Sequence, residues 1–171
     1  MKRSNAVAMD KAEKLVLIAR FEAAVDPLIE FVKAAPAPAI GFCPDLPGAW
    51  TIREHAVHFL DADAFAHGRL RLAVAEPGTH VLTWNQEAWR AQAQYQTADS
   101  QSSLEIARAL RTVSAAMARA LVDRDWEPYF IHHPERGRLD LADLLKTYID
   151  HAQSHLEYFR RNLKAFSGGN S

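Results

Sequence analysis

Two histidines four residues apart, His151 and His155, sit in a stretch whose apolar residues Leu141, Leu144, Leu145, Tyr148, Ala152 and Phe159 recur every three or four positions. That is the period of a buried helix face. The i, i+4 spacing places the two imidazoles one turn apart on that face, while Lys146, Gln153, Glu157 and Arg160 fall on a solvated one. A buried imidazole is costly unless its nitrogens are satisfied. A divalent metal satisfies them, and a third inward-facing histidine would complete an open site of the kind that catalytic zinc occupies. The competing reading is a pair of hydrogen-bonded core histidines and no metal.

His55 and His58 are the candidates for the third ligand. His58 shares a helix face with Glu54, Asp61, Ala62 and Phe65, and His55 shares one with Ile52, Ala56 and Phe59, so periodicity leaves both open. His67, His80, His132 and His133 fall near helix ends or in loops, where surface or capping roles are the default. Two other metal templates fail. Di-iron bundles need Glu-x-x-His pairs, and the sequence contains none. The zinc-protease pattern His-Glu-x-x-His has Ala152 where its Glu should stand. A general base must therefore come from elsewhere: Glu54 and Asp61 first, Asp150 behind them. Glu54 also reads as a helix-capping residue, and Asp61, one turn beyond His58, as a group that orients an imidazole.

Four amphipathic helices must position these residues. The first spans about Met9 to the low thirties on Leu15, Ile18, Phe21, Val25, Leu28, Ile29 and Val32, with Pro27 as a kink. Ala34 to Gly48, with four prolines and two glycines, reads as an irregular crossover. The second helix opens at Thr51, where Thr51 and Glu54 form a capping box behind Trp50, and stops before Glu76-Pro77-Gly78. A short helix is expected around Asn85 to Gln94. The third long helix, capped by Asp99 or a following serine, buries Leu104, Ile106, Leu110, Val113, Met117, Leu121 and Val122. Trp126 to Gly137 is a second non-helical connector, and Asp140 caps the fourth helix, which ends before Ser167. The pattern is that of an all-α four-helix bundle in one domain, residues 1–171, with flexible tails at 1–8 and 167–171.

The bulk composition narrows the partners. Twenty Lys and Arg nearly balance twenty-one Asp and Glu, and no basic stretch alternates with aromatics, so a nucleic-acid role has no support. Cys43 is the only cysteine, which fits a reducing cytoplasm. No apolar signal segment or membrane-length apolar run is present. Trp84, Trp89, Tyr95 and Trp126 are candidates to line a small-molecule pocket, although aromatics more often pack the core.

Trp50-Thr-Ile-Arg-Glu-His-Ala-Val-His58-Phe-Leu-Asp61, followed after a long interval by His133-Pro-Glu-Arg-Gly-Arg-Leu-Asp-Leu-Ala-Asp-Leu-Leu-Lys-Thr-Tyr-Ile-Asp-His151-Ala-Gln-Ser-His155, resembles the DinB/YfiT-like superfamily of four-helix-bundle metalloproteins, and its YfiT branch most. The resemblance runs from about Trp50 to Phe159. It implies one ligand on the second helix and a His-x-x-x-His on the fourth, which fall here on His58, His151 and His155, with water in the remaining positions. It further implies a metal-dependent hydrolase using Zn²⁺ or Ni²⁺ to activate water or a thiol, or a bacillithiol-type S-transferase whose partner is a low-molecular-weight thiol, and a homodimer. A binding protein related to stress that holds metal without turnover is the alternative from another class.

Overall fold

A computed structural model of the chain describes residues 9–168. Its first helices are α1 (Lys11–Ala23) and α2 (Asp26–Ala34). α1 begins at a reciprocal cap in which Asp10 accepts from the Glu13 amide and Glu13 accepts from the Asp10 amide, both at 2.8 Å. The single kinked helix expected from the sequence is therefore two helices. Pro27 stands in the first turn of α2, where a missing amide hydrogen costs nothing, so the chain restarts there. The Pro-rich crossover is not wholly irregular: Ala37–Ile40 makes one helical turn, α3, which buries Ala39 and Ile40.

α4 (Ile52–Ala75) starts at the expected capping box. The Thr51 hydroxyl accepts from the Glu54 amide at 3.0 Å, and the Thr51 amide donates to Glu54 Oε2 at 2.8 Å. α5 (Gln86–Gln92) is capped by Asn85, and α6 (Ser100–Ala120) by Asp99, whose carboxylate accepts from the Ser102 amide at 2.7 Å. α7 (Leu141–Gly168) is the longest helix; Asp140 accepts from the Asp143 amide at 2.9 Å at its start. It continues through Ser167 and Gly168, so those two residues are helical, and the rest of the expected tails, 1–8 and 169–171, lies outside the described residues.

A small sheet departs from the all-helical expectation. β1 (Thr79–His80) runs parallel to β2 (Phe130–His133), which pairs antiparallel with β3 (Gly137–Asp140) through a turn in which Gly137 has φ +72°. Only glycine adopts that backbone without strain. Strands of two to four residues are too short to leave a readable alternation. The hairpin feeds directly into α7 and carries His133 on its buried side.

The bundle core has two main parts. Leu17, Ile18, Phe21, Leu70, Ile131 and Leu145 pack toward the sheet; Leu28, Ile29, Ile52, Phe59, Leu104 and Phe159 pack at the other end. Leu15, Ile106 and Val113 were expected inside but are exposed. α6 instead turns Ala107, Ser114, Ala115 and Ala118 inward, and such small side chains let its backbone approach its neighbours closely.

Candidate metal centre

His58 lies on α4 just past its capped first turn, and His151 and His155 lie on the inward stripe of α7. Each of the three offers a ring nitrogen within 4.8 Å of those of the other two. His58 Nε2 and His151 Nε2 are 3.3 Å apart. Ring centroids are 5.4 Å apart for His58 and His151, 5.1 Å for His58 and His155, and 4.4 Å for His151 and His155. Two nitrogens each about 2.0–2.1 Å from a tetrahedral zinc would stand about 3.3 Å from each other. The observed His58–His151 separation matches that spacing.

The surroundings suit a metal rather than a proton. His58 and His155 are buried and His151 nearly so. Burial removes the hydration that a charged imidazolium needs, and it lowers the pKa of His58 to about 4 and of His151 to about 3. The His155 pKa is likewise driven well down, by burial first and then by His151. At neutral pH all three are therefore uncharged, the form that ligates metal. Nδ1 of each ring is buried without a hydrogen-bond partner. In the protein alone, the 3.3 Å contact between His58 and His151 is the one polar contact these rings make among the described residues. Three converging neutral donors with so little else to bond are the signature of a site completed by a ligand.

An aromatic shell holds the rings in place. The Phe59 ring stacks on His151 at 5.3 Å, and Trp50 sits edge-on to His58 at 5.4 Å. His55, the other candidate, is also buried but is used differently. It lies between Trp50 and Tyr158, with centroids at 5.4 and 4.9 Å, edge-on to His155 at 5.0 Å. Neither of its nitrogens has a partner, and burial lowers its pKa to about 3. Periodicity left His55 and His58 undecided; the fold brings His58 into the three-nitrogen group and sets His55 behind His155.

Two cavities meet at the cluster. One, of about 360 Å³, is lined by His58, Arg69, Trp84, His133, Tyr148 and His151 among others. The second, of about 460 Å³, is lined by Trp50, His55, His155, Tyr158 and Arg161 as well as His58 and His151. The imidazoles are thus reachable by a small molecule.

The two carboxylates favoured from the sequence serve elsewhere. Glu54 is buried; its Oε2 accepts from the Thr51 amide, and its Oε1 accepts from Gln96 Nε2 at 3.1 Å. Asp61 accepts from the Tyr95 hydroxyl rather than from an imidazole, and burial raises the pKa of both partners. Neither lines the cavities at the cluster, whereas Asp150 and Glu135 do. Of the four aromatics, Trp84 lines the first cavity, Trp89 packs beside it at 6.0 Å, and Tyr95 and Trp126 are core residues. The sequence reading missed Arg69, gave His133 a surface or capping role, and placed Tyr148 correctly on the buried stripe but without a part in the site. The signal was present: positions 58, 62, 66 and 69 form one stripe of α4, and Tyr148 stands one turn before His151.

The family model of the DinB superfamily matches residues 18–159 of this chain. A relative from Bacillus subtilis, named "Putative metal-dependent hydrolase YfiT", is 25% identical over 111 residues, covering 65% of this chain and 62% of the relative. A second, from Oceanobacillus iheyensis and described in the same terms, is 28% identical over 111 residues, covering 65% and 63%. The matched part thus spans less than two thirds of the length of these relatives. The solved structure of YfiT from Bacillus subtilis, described as an unusual four-helix bundle, superposes with a TM-score of 0.83 at 21% identity, covering 97% of this chain and 94% of that one. With the bundle and its histidine cluster in place, the chain belongs to the DinB superfamily.

Proposed function

We propose that this protein is a metal-dependent hydrolase acting on a small-molecule substrate, with His58, His151 and His155 as the ligands of one divalent ion. The observation that carries the reading is the convergence of three neutral imidazoles, two buried and the third nearly so, on one point that two cavities reach. A divalent ion held there would supply Lewis-acid polarisation and lower the pKa of a bound water or thiol. Three nitrogens are the ligand set of catalytic zinc, and imidazole accepts nickel as well. The names of the relatives support the choice of hydrolysis over thiol transfer.

The residues of the chain divide the remaining work. His58 is fixed by α4, and His151 and His155 by α7, so the donor set needs no rearrangement. Phe59 and Trp50 exclude water from the outer faces of the rings. Asp150 and Glu135, at the cavity, are the carboxylates placed to accept a proton there. The test is a hydrolysis assay of the zinc-reconstituted protein with 4-nitrophenyl acetate, beside conjugation of cysteine to a chloro-dinitrobenzene electrophile. Ester hydrolysis is expected, abolished by chelator and restored by zinc. Chelator-sensitive conjugation without hydrolysis would move the assignment to thiol transfer. Absence of both would overturn it.

A further inference from the structure

The first cavity has a wall that carries more hydrogen-bond donors than the acceptors beside them can take up. Arg69 is only 8% exposed. Its Nη1 donates to the Tyr148 hydroxyl at 3.1 Å and its Nη2 to the Leu82 carbonyl at 2.7 Å, while Nε is buried without a partner. No carboxylate lies within ion-pair distance of it among the described residues, unlike Arg111, which is paired with Asp63. A buried guanidinium without a counter-charge is expensive.

Tyr148 and His133 extend the same wall. Both are buried and both line the cavity. Because the Tyr148 oxygen accepts from Arg69, its own O–H is directed elsewhere, and no acceptor for it is present among the described residues. His133 Nδ1 accepts from the Glu135 amide at 3.2 Å. The neutral ring must then carry its proton on Nε2, for which no acceptor is present among the described residues. Arg136 adds an exposed positive charge to the lining. The acidic lining residues, Glu135 and Asp150, are exposed, so water screens their charge, unlike that of the buried Arg69.

We infer that this wall receives an anionic oxygen of the substrate, a carboxylate or a phosphate. Tyr148 O–H and His133 Nε2–H donate to it, and Arg69 is the positioning residue that supplies the charge and aims the Tyr148 hydroxyl. His58 and His151 line the same cavity, so a molecule held by that oxygen presents its remainder to the imidazoles. The inference deepens the proposed function, because it names a substrate class for that site: small acids or phosphate esters rather than neutral or cationic molecules. Charge-assisted hydrogen bonds from a desolvated wall are strong enough to select between them.

The test is a titration of the ¹⁵N-labelled full chain with sodium acetate and, separately, inorganic phosphate, following the Arg69 Nε–H and His133 ring resonances, once in chelator and once loaded with zinc. Saturable shifts are expected with at least one of the anions in both forms; response to acetate alone assigns a carboxylate, and to phosphate alone a phosphate. Tyr148→Phe should weaken that binding by about tenfold while leaving zinc content unchanged. Arg69→Met should abolish it, and Tyr148→Phe keeps the proposal testable should that variant not fold. The absence of saturable shifts with both anions, or unchanged affinity in Tyr148→Phe, would overturn it. Since the chelated arm needs no metal, failure of anion binding and failure of zinc binding are read separately.

Discussion

Two groups of buried polar side chains meet on the inner face of α4, one at Asp63 and one at His58, and they are built in opposite ways. Asp63 and Arg111 are each 1% exposed and complete. Arg111 Nε and Nη2 donate to the two Asp63 oxygens at 2.6 and 3.0 Å, and further bonds reach the Phe21 and Tyr148 carbonyls at 3.0 Å each. The guanidinium is also flanked by the Phe21 and Phe59 rings, both at 4.9 Å. His58 and His155 are buried too, His151 nearly so, and this group is incomplete, with Nδ1 of each ring unpartnered. A pair that satisfies itself holds a fold together; a cluster that does not is waiting for something the chain lacks.

Breaking the complete pair should have the largest effect. Asp63→Ala strands the Arg111 charge in the core and should cost about 3–5 kcal/mol of stability in urea denaturation. Zinc bound per folded chain should stay the same. A large loss of zinc together with intact stability would erase the distinction between the two regions.

Acid should strike the incomplete cluster next. Free histidine titrates near 6.5, whereas His58 and His151 titrate at about 4 and about 3 in the fold. Between those values and 6.5 the unfolded chain takes up protons that the folded chain does not. Stability of the metal-free protein should therefore fall as the pH drops below about 6.5, by roughly 3 kcal/mol on account of His58 alone once pH 4 is reached. Bound zinc should be released over an acid range too, because protons compete for the same nitrogens. A stability that stays flat from pH 6.5 to 4 would show that the imidazoles are not held neutral.

Removing one imidazole from the metal-free protein sharpens the comparison through its sign. His155→Leu deletes a buried nitrogen that has no partner, so it should leave stability unchanged or raise it by about 1 kcal/mol, where Asp63→Ala lowers it. Thermal denaturation in chelator reads this directly. A destabilisation as large as that of Asp63→Ala would mean that the rings are core supports.

The smallest effect is expected at Glu54. Glu54→Gln keeps an acceptor for the Thr51 amide, so the cap should weaken by less than about 1 kcal/mol. Zinc content and hydrolysis should persist, and loss of activity with zinc retained would return Glu54 to a role in proton transfer.

How much of this was legible in the sequence depends on the scale of the signal. The four helical segments were readable because apolar residues repeat over many turns, as they do from Leu141 to Phe159, and because Thr51, Asp99 and Asp140 mark helix starts. The restart at Pro27 was visible as a kink only, since proline disturbs a helix interior and opens a new helix equally well. The sheet was missed because two- and four-residue strands carry no period, and with it the buried place of His133. The stripe that holds Arg69 could be read from spacing, but the burial of Arg69 and Arg111 could not: a sequence shows a charge, and only packing shows that it has been taken out of water. Periodicity left His55 and His58 open and the family resemblance pointed to His58; the structure agrees, with His58 in the cluster and His55 packed between Trp50 and Tyr158.

The most direct test of the central claim, that three imidazoles hold one divalent ion, is elemental mass spectrometry of untagged, zinc-reconstituted and desalted protein beside His151→Ala. About one zinc per wild-type chain and none above background in the variant is the expected result. A wild-type chain that retains no ion, or a His151→Ala chain that retains a full equivalent, would contradict it.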